Sequence, residues 1–434
     1  MKKLTLSCLV LLLTISVISC KKSNDSKKDN DAEVTVVNKQ SRSEKRGVAY
    51  SFQLMEDVDL LSPGASWFYN WGNDISTDLD KVVTAKGMDY FPMTWNGNFS
   101  KDKIRAYKQK HPECEYLLAY NEPNLTDQAN MTPQEAAAIF PEVKALATEL
   151  NMKIISPAMN YGTLANYSDP VKWLDEFFEL VPASNFDGIA LHCYMAAPSS
   201  FKSYVDKFKK YNKKIWMTEF CAWEKSISNV NQQIAYMADV VNYMEVQPDI
   251  YRYAWFIPRT NGAVESYPYM QLLTKTKPYK LSDAGKVYMN LSTFDKSVYY
   301  AKGEAFPAAH YVNLNSSASA TETSWVASVH VRPTTDKYGV VEVFGFLKDM
   351  WMEYQIDVPA DGNYSFDLRY ASYRDASVEL TVDGASAKTI DLPNTGEDNI
   401  WKTSNNTISL TQGKHTIRLK MLSGTTCLNW LRFK

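Results

Sequence analysis

Two glutamates stand where a pair of carboxylates could do acid–base work. Glu122 lies in Asn121-Glu122-Pro123, directly after the apolar run 116–120, and Glu219 lies in Thr218-Glu219-Phe220 at the end of the run 214–218. Cleavage of a glycosidic bond needs one protonated carboxyl group to release the leaving oxygen and one ionised group across the sugar ring. A separation of about 5–5.5 Å marks the retaining route, in which the ionised group attacks the anomeric carbon itself. A glutamate before proline is ordinarily a turn residue, and only the second glutamate at a strand end turns the first into a candidate. Other residues of suitable type surround the pair: Asn121, His192 and Tyr194 at strand ends, and Trp71, Trp95 and Trp255 at or just beyond apolar runs. Some of these rings belong to barrel packing. Trp255 is favoured for the site because it ends the run beside the strand that carries Glu219. Glu224 and Asp74 are assigned to ordinary surface.

Such a pair must be held at the opposed ends of strands. From Gly47 onward eight short apolar runs recur (47–50, 65–69, 88–93, 116–120, 153–156, 188–191, 214–218 and 251–256), separated by helix-like stretches. One of these stretches opens with Thr132-Pro133-Gln134-Glu135, an N-cap, a proline at the first helical position and a glutamate that completes a capping box. Eight strands alternating with helices predict an α/β fold of the (β/α)8 TIM-barrel type, whose working residues project from the C-terminal strand ends. The fourth and seventh strands, which carry the two glutamates, then face each other across the mouth. A doubly wound sheet would also alternate, but no glycine-rich nucleotide loop follows the first strand. After Thr293 the rhythm changes to strand-like alternation with Asp-Gly turns, which predicts an all-β sandwich of jelly-roll type.

Composition narrows the partners. The 434 residues carry a net charge of −2, which gives no electrostatic reason to expect nucleic acid. Aromatic residues make up 13% of the chain, which suits sugar recognition, because a pyranose ring presents an apolar C–H face that stacks on a flat ring. At the N-terminus a charged Met1-Lys2-Lys3 precedes an apolar stretch too short to span a membrane, ending in Val17-Ile18-Ser19-Cys20. This resembles a bacterial lipobox: residues 1–20 are expected to act as a signal peptide, Cys20 to become the lipidation site, and 21–45, polar and charged, to form a disordered tether. The expected location is the cell envelope, periplasmic or at the cell surface, with membrane contact through the Cys20 lipid alone. Cys114, Cys193, Cys221 and Cys427 then remain, without metal-ligand spacing, so no catalytic metal is expected and a Cys193–Cys221 disulfide is conceivable.

The string Leu118-Ala119-Tyr120-Asn121-Glu122-Pro123-Asn124, followed by Asn130-Met131-Thr132-Pro133-Gln134-Glu135, resembles glycoside hydrolase family 128. Trp67-Phe68-Tyr69-Asn70-Trp71, Phe91-Pro92-Met93-Thr94-Trp95, Leu191-His192-Cys193-Tyr194 and Tyr253-Ala254-Trp255-Phe256 extend the likeness through most of residues 46–294. The resemblance implies endo-hydrolysis of β-1,3-glucan without a catalytic cofactor. Glu122 would be the acid/base and Glu219 the nucleophile. Asn121 would hold the sugar 2-hydroxyl, Tyr194 would donate to the nucleophile, and His192 would line the mouth. Residues 298–434, through Val358-Pro359-Ala360-Asp361-Gly362-Asn363-Tyr364, Gly413-Lys414-His415-Thr416 and Leu428-Asn429-Trp430-Leu431-Arg432-Phe433, resemble carbohydrate-binding module family 6. That likeness implies a sugar cleft with Trp401 and Asn429, with Phe346 nearest to the facing aromatic, while Trp351 and Trp430 alternate with polar residues and are assigned to the core. It also implies a structural calcium ion whose ligands the sequence does not place.

The combined reading is a monomeric lipoprotein that cleaves a β-glucan polysaccharide or oligosaccharide with retention and grips it with an appended sandwich. Two other readings share most of these features. One is a retaining glycosidase of the same barrel clan as family 128, acting on another β-glycan. The other is a non-catalytic glycan-binding lipoprotein, which would need no glutamate at the end of both strands.

Overall fold

The computed structural model describes residues 34–315 and 329–434. The expected signal segment, Cys20 and the first part of the tether lie outside the described residues. Eight parallel strands form the first half: β1 (Arg46–Ala49), β2 (Trp67–Tyr69), β3 (Asp89–Tyr90), β4 (Tyr116–Leu118), β5 (Lys153–Ile155), β6 (Gly188–Cys193), β7 (Lys214–Phe220) and β8 (Ile250–Trp255). They alternate with α1 (Met55–Leu61), α2 (Thr77–Ala85), α3 (Lys101–Lys110), α4 (Pro133–Glu149), α5 (Pro170–Leu180), α6 (Pro198–Phe208), α7 (Val230–Val246) and α8 (Asp283–Asn290). Neighbours run β3-β2-β1-β8-β7-β6-β5-β4. Beyond β3 the Thr94 N–H donates to the Leu118 carbonyl (2.9 Å) and the Leu118 N–H donates to the Pro92 carbonyl (3.0 Å), which joins the two ends of the sheet into a ring. The strands are buried on both faces, as their unbroken apolar sequences require.

Helix α4 starts where its sequence says it should. Thr132 Oγ1 accepts from the Glu135 N–H at 3.2 Å, and the Glu135 carboxylate accepts from the Thr132 N–H at 2.8 Å. This reciprocal cap fixes the far end of the loop that begins at Asn121. The Met131 N–H donates to the Pro123 carbonyl at 2.8 Å, pinning that loop a second time.

The second half is a sandwich of two mainly antiparallel sheets. Its strands are β9 (Tyr300–Ala301), β10 (Ala305–Pro307), β11 (Asn313–Asn315), β12 (His330–Pro333), β13 (Val341–Leu347), β14 (Trp351–Val358), β15 (Gly362–Ala371), β16 (Ala376–Val382), β17 (Ala385–Leu392), β18 (Lys402–Leu410), β19 (Gly413–Ser423) and β20 (Thr425–Phe433). One sheet runs β12-β13-β20-β15-β18 with β10 beside β20, and the other runs β11-β14-β19-β16-β17 with β9 beside β14. Inward residues such as Val378, Leu380, Ile417 and Leu419 alternate with outward polar ones. Trp430 is buried as expected, whereas Trp351 stays half-exposed with the Arg418 guanidinium 4.1 Å from its ring centre.

The sandwich is seated on the barrel. Strand β12 packs on α7 and α8, and Tyr311 Oη donates to Asn242 of α7 at 3.0 Å. Beneath the junction the buried Arg46 donates to Glu245 Oε1 (3.1 Å) and to the Tyr288 (2.8 Å) and Leu291 (3.2 Å) carbonyls at the C-terminal end of α8, where a cation is favoured by the helix dipole. Residues 35–45 differ from the expected tether, because their polar groups find partners on the folded body. The Val37 N–H donates to the Ala305 carbonyl (2.7 Å), Gln40 Nε2 to Ser292 Oγ (3.2 Å), Arg42 Nη1 to the Ser62 carbonyl (2.9 Å) and Ser43 Oγ to Glu245 Oε2 (3.0 Å). The conceivable Cys193–Cys221 disulfide is absent. All four described cysteines are free and buried, and Cys221 Sγ turns to Met270 Sδ, 3.9 Å away.

Candidate active site

Glu219 is the penultimate residue of β7. A one-residue register shift between Leu191 and His192 in β6 brings His192 level with Glu219 on the neighbouring strand. Glu122 follows β4 in the left-handed region, with φ +46°, and its N–H donates to the Ala158 carbonyl at 3.1 Å. That conformation costs a non-glycine residue roughly 1–2 kcal/mol, and such strain concentrates where a side chain must be aimed. Trp71, in the loop after β2, is strained likewise at φ +60°.

These elements bring the two carboxylates to one buried imidazole. His192, with no solvent exposure, places Nδ1 2.9 Å from Glu122 Oε1 and Nε2 3.5 Å from Glu219 Oε1. Glu122 Oε1 also accepts from Asn160 Nδ2 at 3.1 Å. The environment of Glu219 is different. Its Oε1 accepts from Tyr69 Oη (2.7 Å) and Trp71 Nε1 (2.8 Å), and its Oε2 accepts from Tyr194 Oη. An indole N–H can only donate, so at least Oε1 must act as an acceptor. Burial, then the charge of Glu219, holds both phenols well above their usual pKa, so Tyr69 and Tyr194 keep their protons to donate.

Electrostatics couples the cluster. Burial pushes the Glu219 carboxyl above the usual carboxylate range. His192 pulls against that push, the Glu122 charge adds to it, and the Tyr194 and Tyr69 hydroxyls pull back. Burial opposes a charge on His192, but the Glu219 and Glu122 carboxylates outweigh it and raise the imidazole pKa. Asn121 donates through Nδ2 to Gln128 Oε1 at 3.1 Å, while its buried Oδ1 has no partner among the described residues.

Aromatic rings continue from this cluster on the Glu219 side. Phe256 lies edge-on to Trp71 (6.1 Å between centres) and Tyr194 (5.7 Å), and it stacks on Trp223 at 5.7 Å. Next to Asn160, Tyr161 exposes 45% of its surface. Trp95 is half-buried in the loop after β3, and its carbonyl accepts from the Asn121 N–H at 2.8 Å. Trp255 is a correction. It is fully buried, donates to the Met270 carbonyl at 2.7 Å and packs on Tyr288 of α8. Successive strand residues face opposite ways, so when Trp255 turns out to α8, Phe256 turns to the mouth. Sequence alone assigns no role to Tyr69 or Asn160. The signal for Tyr69 was its place at a strand end two residues before Trp71, whereas nothing local marked Asn160. Glu224 accepts from the Ala196 N–H at 2.9 Å and ties the loops after β6 and β7 together, while Asp74 stays at the surface beside Lys103.

In the sandwich, Trp401 is nearly buried against Ala371, Cys427 and Phe344, and its Nε1 donates to Thr335 Oγ1 at 3.0 Å. Phe346 is a second correction, since it is wholly buried in the core. The ring beside Trp401 is Phe344, two positions earlier and within the bulged stretch between Val343 and Phe346 where β13 pairs with β20. The Arg332 guanidinium lies 4.2 Å from the centre of the Phe344 ring and bridges to Glu342 (2.6 Å) and Asp398 (3.1 Å). Asn429 is buried, donating to Asp336 Oδ2 (2.9 Å) and the Tyr338 carbonyl (2.8 Å). Among the described residues no group of three or more His, Cys, Asp or Glu side chains is placed to hold a metal ion.

Residues 47–288 match the family model described as glycosyl hydrolase catalytic core, and residues 319–434 match carbohydrate binding module (family 6). A solved GH128 (subgroup II) endo-β-1,3-glucanase from Pseudomonas viridiflava is 35% identical with a TM-score of 0.53, covering 58% of this chain and 98% of its own. Alkali-sensitive linkage protein 1 of Schizosaccharomyces pombe is 22% identical over 267 residues, 58% of this chain and 45% of the relative. The clotting factor G alpha subunit of Tachypleus tridentatus is 27% identical over 110 residues, 24% of this chain and 16% of the relative. The chain thus spans less than half the length of either of these two relatives. With a match over more than half its length, the chain belongs to the glycosyl hydrolase catalytic core family and is a glycoside hydrolase of family 128 with a family 6 carbohydrate-binding module.

Proposed function

We propose that the protein is an endo-acting, retaining β-1,3-glucanase. The observation that carries this reading is the unequal solvation of two carboxylates that share one imidazole. Glu219 receives three donors and is suited to be the ionised nucleophile, while Glu122 is suited to carry a proton to the leaving oxygen. Glu219 attacks the anomeric carbon as Glu122 protonates the glycosidic oxygen. Glu122, now ionised, then takes a proton from water, which releases the sugar from Glu219 with its β configuration kept. The free Oδ1 of Asn121 can accept from the sugar 2-hydroxyl. The choice of β-1,3-glucan is supported by the Pseudomonas viridiflava enzyme, and the aromatic mouth suits stacked pyranose rings.

The sandwich is proposed to hold the polymer near the barrel, raising its local concentration. Cys20 is proposed to anchor the mature protein, as a monomer, in the cell envelope. Loss of radiolabelled palmitate from Cys20→Ala in growing cells would support that anchor, and equal labelling would oppose it.

Reducing-end release from β-1,3-glucan tests the activity. Glu219→Gln and Glu122→Gln should each remove nearly all of it without changing the melting temperature by more than a few degrees. An early NMR spectrum should show the β anomer first. Near-normal rates in both variants, or the α anomer first, would overturn the assignment.

A further inference from the structure

At the end of the barrel opposite the carboxylates, the starts of β3, β4 and β8 surround a cavity of about 340 Å³. That volume is in the range of small-molecule sites. Asp89 opens β3, Glu115 and Tyr116 lead into β4, and Tyr251 and Arg252 lie near the start of β8. The N-terminal face of such a barrel ordinarily serves stability, with packed side chains closing it. Here packing is incomplete in a specific way. The Arg252 guanidinium is buried among rings, 5.0 Å from the centre of Phe91, 5.7 Å from Trp216 and 5.6 Å from Tyr251. Its Nη1 donates to the Glu44 carbonyl at 2.9 Å and its Nη2 lies 3.5 Å from Asp89 Oδ2, but its Nε has no partner among the described residues. Tyr251 receives a hydrogen bond from Tyr116 Oη at 3.0 Å and still exposes 38% of its surface.

The lining discriminates among ligands. Asp89, Glu113 and Glu115 line the cavity with Arg252, but Glu113 is paired with His111 (3.0 Å) and Glu115 with Lys153 (2.7 Å), so the charges are largely matched and favour neither an anion nor a simple cation. Ring faces, carboxylate acceptors and guanidinium donors together suit a neutral polyhydroxyl ring. Asp89 leaves half of its side chain exposed, so its carboxylate is open to accept from a sugar hydroxyl. We infer that this cavity is a second carbohydrate site, which takes a pyranose unit of the glucan chain on the face of the barrel away from the carboxylate pair. The identity of the sugar rests on the glucanase reading, and the site itself does not.

Tyrosine nitration by tetranitromethane, mapped by peptide mass spectrometry on the full-length Glu219→Gln protein, tests it. Laminaritriose at ten times its Kd leaves about one-tenth of a site empty, so nitration of Tyr251 should slow by up to about tenfold. Maltotriose should protect less, and Asp89→Ala should abolish the protection while hydrolysis of laminaritetraose by the otherwise unaltered enzyme stays within about twofold. Unchanged Tyr251 nitration, or protection that survives Asp89→Ala, would overturn the proposal. Tyr161, next to Asn160, which donates to Glu122, reports separately on the mouth. Protection of Tyr251 without protection of Tyr161 or hydrolysis would keep the second site and reject the glucanase reading.

Discussion

Removing the Tyr194 hydroxyl tests whether Glu219 works as an ionised group. In Tyr194→Phe the ring keeps its contacts with Phe256 (5.7 Å) and Trp223 (5.5 Å), so packing is preserved and only the donor to Glu219 Oε2 is lost. A hydrogen bond to a charged group is worth about 1.5–3 kcal/mol, and each pKa unit corresponds to about 1.4 kcal/mol. Tyr69 and Trp71 still hold Oε1, which favours the lower end of that range, and loss of the Tyr194 donor pushes the Glu219 carboxyl further up. Activity requires Glu219 ionised, so the acid limb of kcat/KM against pH should move up by about one unit, and kcat at the optimum should fall by roughly tenfold. Profiles on a soluble β-1,3-glucan, with melting temperatures taken alongside, give both numbers. An unmoved acid limb together with a rate within twofold would refute the role given to this donor, whatever the fate of the fold.

Four further outcomes follow from the same structure. Glu219→Gly should regain turnover with azide and yield an α-glycosyl azide, read by NMR, because azide replaces the nucleophile and only one inversion then occurs. Glu245→Gln leaves the buried Arg46 without its charge partner and should cost about 3–5 kcal/mol in chemical denaturation, less whatever the α8 carbonyls retain. Burial lowers His310 and His330 to a pKa of about 4, so the unfolded chain binds more protons between that value and the ordinary 6.5. Stability is then full above the ordinary pKa and falls as pH drops toward the folded value, by up to roughly 3 kcal/mol for each residue; a melting temperature equal at pH 7 and pH 5 would contradict this. Trp401→Ala should weaken retention on insoluble β-1,3-glucan while rates on short soluble oligosaccharides stay within about twofold, as sedimentation and reducing-end assays would show.

Period and punctuation were enough to read the two folds. Eight apolar runs, the Thr132–Glu135 capping box and the change to alternation after Thr293 are local signals, and the local backbone obeys them. The glutamates were legible for the same reason, because a residue that ends a buried strand must emerge at the barrel mouth. What chain order could not supply is which way a ring turns and what lies beside it. Trp255 and Phe256 are adjacent, equally apolar and of opposite fate, decided by whether α8 or the mouth faces each side of β8. Phe346 lost its place beside Trp401 to Phe344 through one bulge in the pairing of β13 with β20. The link between Glu122, His192 and Glu219 joins residues 70 and 27 positions apart, and it depends on a register shift that no run of amino acids announces. The sequence alone thus determined the elements and the chemical types at their ends. Tertiary structure decided which carboxylate gathers the donors, because hydrogen-bond geometry is a property of neighbouring strands and not of neighbouring residues.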